Sequence, residues 1–267
     1  TEQGVIQAVR GVSFVIGQEK VGIVGESGSG KSLTARSILK LLPRHARMRA
    51  DSLTFNGTDV LGASETAMRR IRGKDIGLVL QDPKFSLNPV MTVGDQIAET
   101  WRVHNGGNRS TARRKVLDLL AQVQIRDPER VAAAYAHQLS GGMGQRVMIA
   151  LVLAPGPKLL IADEPTSALD ATVQAEILRL IDDLVSRLGM GLLLISHDLP
   201  LVSHFCDRVL VMYVGRIVED LRAGDLRRAK HPYTRGLLTC VPSLVNPQPR
   251  LTVLTRNPDW DTELPAK

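Results

Sequence analysis

Gly25-Glu26-Ser27-Gly28-Ser29-Gly30-Lys31-Ser32 is the stretch on which the fold turns. It follows G-x-x-x-x-G-K-S, the phosphate-binding P-loop or Walker A pattern. Just before it, Val21-Gly22-Ile23-Val24 is short, apolar and β-branched, as a buried strand is. After it, residues 32–42 are rich in Leu, Ala, Ile and Lys and run into Pro43, which predicts a helix over that span. Strand, loop and helix is the context the motif requires. Glycines let the backbone curl until successive N–H groups converge on phosphate oxygens. The helix N-terminus adds its dipole, and in such a loop Lys31 can reach the β- and γ-phosphates and the Ser32 hydroxyl can ligate Mg²⁺. The competing reading is a Gly/Ser-rich turn with an incidental lysine, and eight residues alone do not exclude it.

Working outward, the flanking chain supplies the rest of an α/β pattern. Residues 8–16 read as a strand and residues 17–20 as a turn into the strand before the P-loop. Residues 52–55 read as a short strand closed by Asn56-Gly57, a hairpin signal. Residues 64–72 predict a short helix, and residues 76–80 a buried strand ending on Gln81-Asp82-Pro83. The character then changes. Residues 92–104, 110–124 and 142–153 read as helices, and Val116, Leu119, Leu120 and Val123 fall on one face at helical spacing. Residues 105–108 read as an exposed tip. Alternation returns with strands at 159–162, 191–195 and 208–212 and an amphipathic helix over 172–188, ended by Gly189. A β/α alternation around a P-loop implies a mostly parallel sheet flanked by helices, here with a helical insert over about 86–155. Residues 246–267 hold four prolines and no period, and read as a loop or disordered tail.

The chain has 267 residues, 43% of them hydrophobic and 3% aromatic, so its core is expected to be aliphatic. The longest apolar run, residues 147–154, is far short of the roughly 18 residues a membrane span needs. The first residues are unlike a secretory signal. Cys206 and Cys240 lie far apart with no metal-ligand spacing, as free thiols in a reducing compartment do. The net charge of +7 is carried by scattered basic residues without interleaved aromatics. That favours a solvated surface or an anionic membrane surface over nucleic acid.

A second group of residues carries chemistry. Leu159-Leu160-Ile161-Ala162-Asp163-Glu164 is an apolar strand ending in two carboxylates. Such a strand delivers Asp163 to the sheet edge where a P-loop sits, as a Mg²⁺ carboxylate. Glu164 points elsewhere because strand side chains alternate, which suits a general base for water. On the motif alone, an acidic helix cap before Pro165 stands even with this reading. Ser140-Gly141-Gly142 offers a hydroxyl and bare N–H groups at a helix start, a second anion-binding arrangement.

Taken in order, Gln81, Leu139-Ser140-Gly141-Gly142-Met143-Gly144-Gln145-Arg146, Asp163-Glu164, Ser167-Ala168-Leu169-Asp170 and Ser196-His197-Asp198 follow the P-loop at fitting distances. Together they resemble the ATPase subunits of ABC transporters, over nearly the whole chain. The resemblance implies an ABC-type P-loop NTPase fold: a mostly parallel sheet, an N-terminal antiparallel β part and a helical subdomain. It implies an ATPase domain over 1–245, with that subdomain at about 86–155 and a tail over 246–267.

For the site, the resemblance implies ATP contacts from Gly25, Glu26, Ser27, Gly28, Ser29, Gly30, Lys31 and Ser32. Mg²⁺ would be served by Ser32, Gln81 and Asp163. Glu164 would be the catalytic carboxylate, Gln81 a sensor of Mg²⁺ and water, and His197 a switch on the γ-phosphate. Leu139, Ser140, Gly141, Gly142 and Met143 match the signature loop, which would reach ATP on a second ATPase subunit, and Asp170 matches the D-loop. Two such chains, head to tail, would close both sites around two ATP molecules.

The chain departs from that pattern in three places. Met143 stands where Gln is usual, and Gly144 where Arg, Gln or Ser is usual; a helical Gly costs about 1 kcal/mol relative to Ala. No aromatic residue precedes Phe14 to stack on adenine. That residue lies in a preceding piece, or adenine rests on apolar contacts near Val9.

Gln81-Asp82-Pro83, Ser86-Leu87-Asn88-Pro89 and His231-Pro232-Tyr233-Thr234 resemble the dipeptide, oligopeptide and nickel importer branch. A loop whose proline starts a helix is the plain alternative for the last of these. Many peptide members carry a later cysteine cluster for an iron–sulfur centre; none follows here, so no such cofactor is expected. That tilts the choice toward a nickel or metal-chelate member.

The resemblance further implies two transmembrane permease subunits, a second ATPase chain (a paralogue, or itself), an extracytoplasmic binding protein acting indirectly, no nucleic acid, and a place on the cytoplasmic face of the cell membrane. The rival readings are a soluble ABC ATPase acting on ribosomes or nucleic acid, and an accessory ATPase subunit of a phosphonate-degrading complex.

Overall fold

The computed structural model describes residues 6–241 together with Leu254, Asn257 and Trp260. Otherwise the expected tail over 246–267 lies outside the described residues. In chain order the elements begin with β1 (Lys20–Val24), α1 (Lys31–Ile38), β2 (Thr54–Phe55), β3 (Thr58–Asp59), α2 (Glu65–Ile71) and β4 (Ile76–Val79). Then come α3 (Pro83–Ser86), α4 (Val93–Asn105), α5 (Arg109–Gln122), α6 (Pro128–Ala133) and α7 (Gly141–Leu153). The last are β5 (Leu159–Asp163), α8 (Ala171–Leu188), β6 (Gly191–Ser196), α9 (Leu199–Phe205), β7 (Arg208–Tyr213), β8 (Arg216–Arg222) and α10 (Pro232–Thr239). Two compact units divide the chain, residues 1–61 with 193–267 and residues 62–192, and the division falls within β6.

In the first unit the strands lie in the order β6, β1, β7, β8. β1 runs parallel to β7, with Val21 opposite Arg208 and Val24 opposite Val211. β7 and β8 are antiparallel, with an irregularity between Val211 and Met212. They are joined by a turn at Val214 (φ 42°) and Gly215 (φ 80°). Val21, Ile23, Val24, Leu193, Ile195, Val209, Leu210 and Val211 are buried. Each such side chain contributes roughly 1.5–3 kcal/mol by leaving water. α9 packs so closely on β1 that a Cβ on Gly22 would fall 2.0 Å from Val202 Cγ1. The hairpin signal holds: β2 and β3 pair antiparallel across Asn56 (φ 46°) and Gly57 (φ 77°), both in the left-handed region that a two-residue turn needs.

Two expectations in this unit need correction. Residues 8–16 take no strand assignment, although burial alternates over residues 11–16. Alternation describes faces, whereas a strand requires a ladder of backbone bonds. The helix after the P-loop ends at Ile38, not 42. Lys40 turns left-handed (φ 51°), Leu41 N–H reaches Arg36 O at 2.8 Å, and Lys40 N–H reaches Ser37 O at 3.0 Å. This is a Schellman closure without glycine, completed before Pro43 bears on the helix.

In the second unit β4 and β5 pair in parallel, Val79 opposite Ala162, and helices make up most of the remainder. α4, α5 and α7 occur where the periodicity predicts. Thr92, Asn108 and Ser140 cap them by accepting N–H bonds. The face of α5 read from spacing is the buried one: Val116, Leu119 and Leu120, then Val123 at its C-cap. α8 buries Ile177, Leu178, Leu180, Ile181, Leu184 and Val185, and stops at Gly189 (φ 63°). The apolar run over 147–154 belongs mostly to α7, and no described helix is long and apolar enough to cross a membrane.

Candidate functional site

β1 ends at Val24 and the P-loop follows at the C-terminal end of the parallel strands. Its glycines are demanded by geometry. A Cβ on Gly25 would fall 2.1 Å from Met212 O of β7, and one on Gly30 (φ 102°) would fall 2.6 Å from Ala8 O. Gly28 differs: open space surrounds it, and only its φ of 82° excludes a side chain. Gly30 caps α1 without a side chain, so the first N–H groups of α1 meet no capping side chain at that end.

Lys31 is 5% exposed, and its ammonium folds back across the loop. Its Nζ donates to Gly25 O at 2.8 Å and Glu26 O at 2.8 Å, and approaches Ser29 Oγ at 3.5 Å. Ser29 N–H closes the turn onto Glu26 O at 3.2 Å, and Gly215 N–H ties the β7–β8 turn to Ser29 O at 2.9 Å. The loop is therefore curled and tied by its own backbone, with Ser27 and Gly28 at its exposed crest and Ser32 half-buried. This cradle, narrowed by backbone where glycine stands and carrying a buried cation, fits a polyphosphate.

In the same unit His197 follows β6 and is exposed. Its neighbours shape the turn: Asp198 N–H donates to Ser196 Oγ at 3.0 Å, and Asp198 caps α9 by accepting from Leu201 N–H at 2.9 Å.

The second unit carries the other predicted residues. Asp163 ends β5 and is 5% exposed; Glu164 follows in the left-handed region (φ 48°). A non-glycine residue there costs about 1–2 kcal/mol and persists where its surroundings hold it. Here Gln145 of α7, 1% exposed, donates from Nε2 to Pro165 O, and Ser167 donates from Oγ to Glu164 O at 3.2 Å. Gln81 is exposed just beyond β4. Because β4 and β5 run parallel in register, Gln81 and Asp163 lie at the same end of neighbouring strands.

The signature residues open α7. Ser140 is its exposed cap, accepting from Met143 N–H at 3.4 Å; Leu139 and Met143 are half-buried. Gly141 lies against Leu169, and a Cβ on Gly142 would fall 2.8 Å from Val173 Cγ1. The start of α7 therefore packs on the segment around Asp170, whose carboxylate accepts N–H bonds from Thr172 at 3.1 Å and Val173 at 3.0 Å. Gly144, the departure from pattern, is buried with Pro83 Cγ 3.4 Å from where its Cβ would sit, which brings α7 against the turn after Gln81.

Sequence reading passed over Gln145 as a structural support, because a helical Gln reads as polar surface until its burial is seen. It also passed over Met212 and Ala8, whose backbone oxygens come from distant segments. Val9 Cγ2 would lie 3.5 Å from a Cβ on Gly30, which places Val9 beside the P-loop.

Residues 9–167 match the family model described as ABC transporter. The chain is 52% identical over 244 residues to a probable peptide ABC transporter ATP-binding protein of Sinorhizobium fredii, covering 90% of this chain and 73% of that one. It is 48% identical over 255 residues to the dipeptide transport ATP-binding protein DppD of Escherichia coli, covering 95% and 78%. Among solved structures, the dimeric post-hydrolysis state of the ATP-binding cassette MJ0796 bound to ADP and Pi matches with a TM-score of 0.73 at 28% identity, over 83% of this chain and 93% of that chain. The fold is the expected α/β P-loop NTPase fold, with a mostly parallel sheet, antiparallel strands in its N-terminal part and a helical subdomain. The chain belongs to the ABC transporter family, as one of its ATP-binding and ATP-hydrolysing subunits.

Proposed function

We propose that this chain powers a peptide importer, hydrolysing ATP to ADP and phosphate at the cytoplasmic face of a cell membrane. The observation that carries the reading is the P-loop itself, curled around a buried Lys31 ammonium that its own carbonyls hold at 2.8 Å. The similar proteins named for a transported solute are described as peptide, dipeptide or oligopeptide proteins, which supports peptides. The nickel and metal-chelate reading, the nucleic-acid reading and the phosphonate-complex reading have no such support.

In this reading residues 1–245 form the ATPase domain, with a helical subdomain over about 86–155. Backbone N–H groups of residues 25–32 cradle the phosphates, and Lys31, oriented by the carbonyls of Gly25 and Glu26, meets the phosphate oxygens. Ser32, Asp163 and Gln81 would hold Mg²⁺, which would supply positive charge to offset that of the phosphates. Glu164 orients the attacking water and accepts its proton, and His197 donates a hydrogen bond to the γ-phosphate. The strained backbone at Glu164 supports that role, since such conformations cluster at functional sites. Leu139, Ser140, Gly141, Gly142 and Met143, with Asp170, reach the ATP of a second ATPase subunit, a paralogue in preference to a second copy. Closing and reopening of that pair drives two permease subunits between inward and outward states, with a binding protein delivering solute from outside.

The test is purification of tagged Glu164→Gln chain with MgATP from detergent-solubilised native membranes. The expected companions are two polytopic membrane proteins and a second ATPase chain. A ribosomal or nucleic-acid fraction without membrane protein would overturn the importer reading.

A further inference from the structure

Tyr233 is the second residue of α10, lies 207 residues from the P-loop in sequence, and is wholly buried. A buried phenol needs a partner for its oxygen. Tyr233 finds it in the P-loop, where the Glu26 N–H donates to Tyr233 Oη at 2.9 Å. The same Glu26 residue offers its carbonyl to Lys31 Nζ at 2.8 Å and to Ser29 N–H at 3.2 Å. One peptide segment thus lies between the phenol on one side and the phosphate-binding lysine on the other.

Tyr233 is itself held on several sides. Its ring centroid is 4.3 Å from that of Tyr213 at a 38° tilt and 6.1 Å from that of Trp260. Its N–H donates to Nδ1 of His231, buried at 6% exposure, at 3.2 Å. The His231 N–H in turn donates to Glu219 Oε1 of β8 at 3.1 Å. Aromatic contacts fix the ring plane, and backbone bonds fix the start of α10. The hydroxyl is therefore a fixed post, not a mobile surface group.

We propose that Tyr233 is a positioning residue of the P-loop: its hydroxyl pins the Glu26 peptide, and through it the carbonyl ring that presents Lys31, so that α10 sets the affinity for ATP. The inference rests on the P-loop being the nucleotide site proposed above. Loops fixed before binding lose less entropy on binding. Losing the post therefore weakens ground-state binding, while the chemical step, carried by other residues, stays close to its rate.

The test compares wild-type full chain with Tyr233→Phe, which keeps the ring and its stacking. ATP affinity is measured by equilibrium binding, kcat and KM by phosphate release, and exchange of the Glu26 amide by hydrogen–deuterium exchange in nucleotide-free protein. The expected result is a roughly fivefold rise in Kd and KM, kcat within about twofold, and faster exchange at Glu26. A melting temperature lowered with Kd, KM and exchange unchanged means a merely structural hydroxyl and overturns the proposal. Exchange at Glu26 is read in the folded fraction, so partial loss of stability does not mask it. If the wild type itself fails to bind ATP, the nucleotide reading of the P-loop falls first, and this inference with it.

Discussion

At the residue scale, burial and backbone strain decide what a side chain can do. Cys206 closes α9 beneath β1, its Sγ 3.1 Å from where a Cβ on Gly22 would sit. Burial, partly offset by the nearby Lys20 ammonium, pushes its thiol from 9.0 up to about 12. Reactivity belongs to the thiolate, so Cys206 is inert in the native protein while Cys240, half-buried, stays accessible. Labelling at pH 8 should modify one thiol in native protein and two in denaturant; two in the native state would contradict this burial. The linkage has a definite sign. The folded pKa lies above the unfolded one, so the Cys206 contribution to stability is full below pH 9 and is lost as pH rises from there through about 12. Denaturation midpoints followed across that window for wild type and Cys206→Ala should converge as pH rises.

At the element scale, several predicted site residues also hold their own helices together. Asp170 is the clearest, since it caps the 18-residue α8 with two N–H bonds. Asp170→Ala should cost about 1 kcal/mol of stability, whereas Asp170→Asn keeps the cap and should stay within a few tenths of the wild type by urea denaturation. If Asn lowers ATPase turnover of the assembled pair without that loss of stability, the carboxylate acts across to the second subunit; equal stability loss in both variants would contradict the capping account. Ser140 has the same double character at α7. The helical register of α5 and α8 was readable because burial of one face imposes a period of 3.6. The end of α1 was not readable, because a left-handed Lys40 is an unusual choice that the Leu41 and Lys40 backbone bonds make acceptable.

At the scale of the whole molecule, ligand binding is read as stability. A ligand that binds only the folded state stabilises it by mass action, by about 2.7 kcal/mol at a hundredfold excess over Kd. Saturating ATP with Mg²⁺ should therefore raise the melting temperature of the Glu164→Gln protein by on the order of 5–10 °C. Lys31→Ala should show almost no shift, because the buried ammonium between Gly25 O and Glu26 O is gone. An equal shift in both variants, measured by differential scanning fluorimetry, would mean that Lys31 does not meet the phosphates.

The P-loop, the two carboxylates at the end of β5 and the cap of α7 were legible because each uses local backbone chemistry: glycine where a side chain cannot fit, carboxylate at a strand end, hydroxyl at a helix start. Local rules act over a few residues and leave their mark in a few residues. The supports of these segments were not legible, because within each unit they come from far along the chain. Met212 O excludes a side chain at Gly25, Gln145 holds Pro165 beside the left-handed Glu164, and Tyr233 meets the Glu26 amide. None of these has a periodicity or a spacing. Each is a polar group whose partner is chosen when apolar burial brings distant segments together, and only the folded chain makes that choice.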